Sequence, residues 1–141
     1  MDKRMEDNVK MTQLQSKLND LNLSGVLSRM CREMGLSHEQ AELAETRYRE
    51  FLLLKALHPG ESLVPPKLVD HFWHYHLMDT QKYADDCQHL FGSTLHHHPD
   101  VTDSKQQAGW NRTKELYLEL FGVDIEAEGW GAETIGAAKC D

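Results

Sequence analysis

Apolar residues recur along this chain at helical spacing, and no run alternates with the period of two that a half-buried strand requires. Leu14, Leu18 and Leu21 mark a first, weakly amphipathic segment. Leu23, Val26, Leu27, Met30 and Met34 mark a second, which Gly35 can end in a left-handed turn. Ser37 and Gln40 stand at the N-cap and N3 spacing of a capping box. The helix they open carries Leu43, Ala44, Tyr48, Phe51 and Leu52 on one stripe and stops at His58-Pro59-Gly60. Pro65-Pro66 suits the first turn of a further helix carrying Asp70 to His76. Asp79 or Thr80 can cap the next, which carries Tyr83 and Cys87 and ends at Gly92. A last helix is predicted from about residue 104 to 121, with Trp110, Leu116, Tyr117 and Leu120, before Gly122. The expected fold is all-α: a compact single-domain multi-helix bundle with a His-rich loop. Residues 1–122 form the domain, with its motif core at 63–99, and residues 123–141 a Gly/Ala-rich tail that serves as a loose extension or lid.

At 141 residues the chain can bury a core of its own. Its 15 Lys and Arg against 23 Asp and Glu leave a formal charge of −8. An acidic chain without a basic run lacks the phosphate contacts that give nucleic-acid affinity, so no nucleic acid is expected as a partner. No apolar run is long enough to span a bilayer, and the charged N-terminus lacks the apolar core of a secretory signal. Cys31, Cys87 and Cys140 are widely spaced and odd in number, which argues against a disulfide framework. A cytoplasmic location is expected, as is a small-molecule substrate. The oligomeric state is left open.

Residues 69–99 concentrate the chemistry. His71, His74, His76, His89, His96, His97 and His98 are seven of the nine histidines. Asp70 and His74 are one helical turn apart and share a face. Both can ligate a metal, or the carboxylate can hold the imidazole from behind. His76 lies about 200° around a regular helix from His74. The two converge only if the helix unwinds near Tyr75; otherwise one of them is structural. Beyond Gly92, Pro99 favours extended backbone in the residue before it. An extended segment puts His96 and His98 on one side and His97 on the other. That loop can return imidazoles to the helix carrying His74, and Cys87 can add a thiolate.

Each residue also has an ordinary structural role. His38, His58, His71 and His89 read as packed or solvated side chains. Cys87 can be a small buried hydrophobe, and Phe72, Trp73, Leu77, Tyr83, Leu90 and Phe91 can simply be core. What favours a metal is the conjunction of two histidine groups, a carboxylate and aromatic packing in one short window.

The strings V-D-x-x-W-H-x-H-x-x-x-T-x-x-Y-x-x-D-C and F-G-x-x-L-H-H-x-P run from Val69 through Cys87 and from Phe91 through Pro99. With Val64-Pro65-Pro66 upstream, they resemble the glycine-rich domain-containing protein-like family of plants and bacteria. The resemblance covers about residues 40–100. It implies a compact helical domain and points to Asp70, the HxH pair and the HH pair, but it supplies no reaction. His98 lies outside the pattern, and no glycine-rich C-terminal region is present beyond a few tail glycines.

The favoured expectation is a small metal-dependent enzyme. His74, His76, His96, His97 and Asp70 would surround one divalent ion, with Fe ahead of Zn or Cu. Two imidazoles and a carboxylate with open positions suit non-haem iron oxidoreductase chemistry on a small molecule. Tyr83 and Cys87 would face the site as catalytic groups, giving a proton or orienting substrate. Three imidazoles and a water would instead suit a zinc-dependent hydrolase. The remaining alternative is a non-catalytic interaction module with a structural metal or none.

Overall fold

The computed structural model describes residues 2–96 and 102–128. Among them are six helices and no strand: α1 (Lys3–Asp20), α2 (Ser24–Met34), α3 (His38–Leu57), α4 (Lys67–Met78), α5 (Thr80–Phe91) and α6 (Asp103–Phe121). The all-α expectation therefore holds, and the signals that stop the helices act as read. Gly35, Gly92 and Gly122 take φ of 67°, 72° and 66°, the left-handed conformation that a Cβ resists. Ser37 accepts from the Gln40 backbone while the Gln40 side chain accepts from the Ser37 N–H, closing the capping box. The Pro65-Pro66 pair sits just outside α4, with Pro66 as its N-cap. Proline fixes φ and ends the preceding chain direction there without needing an N–H.

The core is built around α3 and α4. α4 lies against α2, α3 and α5, while α1 packs on α3 and α5. Tyr48, Phe51 and Leu54 of α3 meet Val69, Phe72 and Trp73 of α4 in a region with almost no exposed surface. Tyr48 stacks on Phe72 with ring centroids 4.7 Å apart. Arg49 closes the first helical layer: its guanidinium donates to the carbonyls of Leu18 and Leu21 at the end of α1. The Leu18 carbonyl also accepts from the Leu21 N–H that caps α1, so the guanidinium adds to the satisfaction of a helix end.

α6 reaches the body through close backbone approach. A Cβ at Gly109 would stand 2.6 Å from the Ser62 carbonyl oxygen and 2.8 Å from Val64 Cγ2. Only glycine lets the segment before α4 lie that near α6. Arg112 pairs with Glu61 beside this contact, and the Tyr117 hydroxyl donates to the Arg47 carbonyl at 2.6 Å. The chain after Gly122 continues onto the body. Ile125 is buried, and Glu128 accepts two hydrogen bonds, at 2.9 and 2.8 Å, from Arg47. Among the described residues no helix is long and apolar enough to cross a membrane.

Candidate functional site

α4 is regular through Met78, so His74 and His76 diverge. His76 goes inward and is 1% exposed. Its Nδ1 lies 2.7 Å from the Tyr48 hydroxyl and its Nε2 lies 2.8 Å from Asp86 Oδ2. Lys82 Nζ reaches the same carboxylate oxygen at 3.0 Å. A carboxylate can only accept, so Nε2 carries the ring hydrogen and Nδ1 accepts from Tyr48 O–H. Burial and this bonding agree on the protonation states. Burial pushes the Tyr48 phenol well above its ordinary pKa. Burial also lowers the His76 pKa, against an opposing pull from Asp86. The result is a neutral imidazole held between a phenol and a carboxylate, with the outer end of the chain at Lys82. Both nitrogens of His76, one of the expected metal ligands, are thus hydrogen-bonded within the core.

A second chain of bonds begins next door. Trp73 Nε1 donates to the Tyr83 hydroxyl at 2.8 Å, and that hydroxyl donates to the Leu95 carbonyl at 2.5 Å. One phenol oxygen thereby joins α4, α5 and the loop that follows Gly92. Cys87 lies beneath it, 2% exposed. Burial raises the thiol's pKa, opposed by hydrogen bonds with Leu95 backbone and the Tyr83 hydroxyl. Cys87 is thus a protonated thiol at neutral pH and a poor nucleophile. The Tyr83 proton is given to a backbone carbonyl. Tyr83 and Cys87, the expected catalytic groups, thus stand together beside the loop that leads to His96.

The remaining candidates are Asp70, His74, His96 and His97. Asp70 is 3% exposed on the inner side of α4. One turn on, His74 is half-buried, and its Nδ1 is shut from solvent without a hydrogen-bond partner. His96 is exposed, immediately after the Leu95 carbonyl that Tyr83 holds. His97 lies outside the described residues. Among the described residues no three His, Cys, Asp or Glu side chains gather as a metal-binding group. His89 is exposed and His38 forms only a surface pair with Glu42, as read from the sequence.

Sequence reasoning gave no role to Tyr48, Lys82 or Asp86. Two signals were present. A tyrosine on a buried stripe needs a partner for its hydroxyl. Lys82 and Asp86 stand at the i, i+4 spacing of an ion pair.

The class defined by this fold is an all-α domain with a Tyr48–His76–Asp86 relay through its centre and a histidine-bearing loop tied to the same helices. Residues 15–118 match the UCP032817-like family, and the chain belongs to it. No curated protein and no solved structure matches the chain. The family match corrects the resemblance to the glycine-rich domain-containing protein-like family. Among the positions that carried that resemblance, Trp73, His76, Tyr83, Asp86 and Leu95 take part in the two hydrogen-bond chains.

Proposed function

We propose that the chain is a small metal-dependent protein acting on a small molecule, with non-haem iron oxidoreductase chemistry ahead of zinc hydrolysis. The ligands are Asp70, His74 and the His96–His97 segment. His76 is the structural histidine of the pair. The observation that carries this reading is the buried, partnerless Nδ1 of His74, one turn from a buried carboxylate. A dry polar nitrogen without a partner costs about 1–3 kcal/mol, and a bound cation removes that cost. Carboxylate and imidazole are the donor types that such iron sites use. The Tyr83 bond to Leu95 supports the reading further, because it fixes the backbone just before His96 relative to α4. When bound, the ion would supply redox or Lewis-acid chemistry, and the relay behind it would keep the α4 backbone rigid.

The test is metal content of the untagged protein, purified from cells and after anaerobic loading with Fe(II) or Zn(II). The expected result is a retained ion that His74→Ala loses while helicity is unchanged. His76→Ala should keep the ion and lose stability. Wild-type protein that retains neither metal, or a His74→Ala variant that retains it fully, would return the chain to the non-catalytic interaction reading.

A further inference from the structure

Six Lys and Arg side chains are partly buried among the described residues: Arg47, Arg49, Lys55, Lys82, Arg112 and Lys114. Five have oxygen partners: Arg47 with Glu128, Arg49 with the α1 carbonyls, Lys82 with Asp86, Arg112 with Glu61 and Lys114 with Glu126. Lys55 makes no hydrogen bond or ion pair with the described residues. Burial alone lowers its pKa, with no carboxylate acting on it. It stands in the last turn of α3, where the helix end tolerates a cation but supplies no counter-ion.

Lys55 lines a cleft of about 390 Å³ between α1 and the C-terminal ends of α3 and α5. That volume falls in the range of small-molecule pockets. Lys10 enters from α1, and Ser93 and Thr94 add hydroxyls from the loop after Gly92. The opposite wall is apolar, with Leu14, Leu90 and Phe91. Among the described residues no Asp or Glu lines the cleft, although the chain as a whole carries a formal charge of −8.

We propose that this cleft binds an amphipathic monoanion: a small carboxylate whose apolar chain lies on Leu14, Leu90 and Phe91 and whose head meets Lys55 and Lys10. The head is a carboxylate rather than a phosphate for two reasons. Two helix C-termini, with their partial negative charge, face the cleft and disfavour a dianion. The cations are point-like ammonium groups, not the arginine fork that matches phosphate. The proposal is independent of the metal reading, since it uses none of Asp70, His74, His96 or His97.

The experiment is calorimetric titration of the full chain with octanoate, octan-1-ol and octyl phosphate, repeated on Lys55→Met. Circular dichroism of Lys55→Met confirms that it folds, and the substitution keeps the unbranched stem. Octanoate should bind, octan-1-ol should bind about tenfold more weakly or worse, and Lys55→Met should lose about tenfold for octanoate alone. Backbone amide shifts at Ser93 and Thr94 should follow octanoate. Three results overturn the proposal: no octanoate binding at millimolar concentration, equal affinity for the alcohol, or an unchanged Lys55→Met. Tighter binding of octyl phosphate overturns the carboxylate assignment.

Discussion

His74 and His76 are two residues apart and differ in their surroundings, and on the metal reading proposed above that contrast separates site from scaffold. The inward imidazole, His76, is neutral because it is buried between Tyr48 and Asp86. Its folded pKa lies below the ordinary 6.5, so the unfolded chain takes up the proton first. Stability is therefore fully present above about pH 6.5 and is lost as the pH falls through the folded value. Urea midpoints between pH 7.5 and 5 should decline for the wild type. The part of that decline missing from His76→Gln belongs to this residue; identical profiles would show that His76 does not titrate on unfolding. Asp70→Asn separates two roles for the buried carboxylate one turn before His74. If Asp70 only orients a ligand, metal affinity should fall about 10–100-fold without loss of the site. Complete loss of the ion, measured by the same metal analysis, would make it a direct ligand.

At the scale of the element, α4 and α6 differ in what holds them. α4 is surrounded on three sides and rests on Trp73. Trp73→Ala should cost about 3–5 kcal/mol in denaturant unfolding, the usual loss for a large buried aromatic. α6 depends on backbone contact at Gly109, where alanine would press on Ser62 and Val64. Gly109→Ala should cost about 1–3 kcal/mol despite alanine's better helix propensity. A stabilised variant would mean that the segment at residues 62–64 yields easily. The helices and their ends were legible because Gly35, Gly92, Gly122 and the Ser37–Gln40 box act locally. The relay was not. Tyr48 and His76 are 28 residues apart, and Arg49 meets α1 carbonyls at a similar separation. Spacing along one helix shows which faces residues share; it does not show which face another helix brings to them. That is why the partners of His76 were not foreseen and Lys55 attracted no notice.

For the whole molecule, the segment after α6 acts as a clasp across α3. Ile125 is 1% exposed, and Arg47 is shared by Glu50, Glu128 and, through its carbonyl, Tyr117. Ile125→Ala should cost about 2–5 kcal/mol, since it empties a fully buried site. Glu128→Gln should cost less, because Arg47 keeps Glu50 as a partner and the pair is partly solvated. Both can be read from equilibrium urea curves. A larger cost for Glu128→Gln than for Ile125→Ala would mean that the ionic contact, not the isoleucine, fastens the segment. The sequence suggested a loose extension or lid from residue 123 because Gly and Ala are frequent there; within residues 123–128, Ile125, Glu126 and Glu128 hold the chain to the body through burial and pairs with Lys114 and Arg47.

The bond from Trp73 to Tyr83 and on to Leu95 also makes the protein its own optical gauge. An indole whose N–H is tied to a phenol changes its emission when that bond loosens. Here the phenol is anchored to the loop that leads to His96 and borders the Lys55 cleft. In a variant with Trp110 and Trp130 replaced by phenylalanine, the emission of Trp73 would follow that loop in real time. A ligand arriving at either edge could then be timed with no label attached.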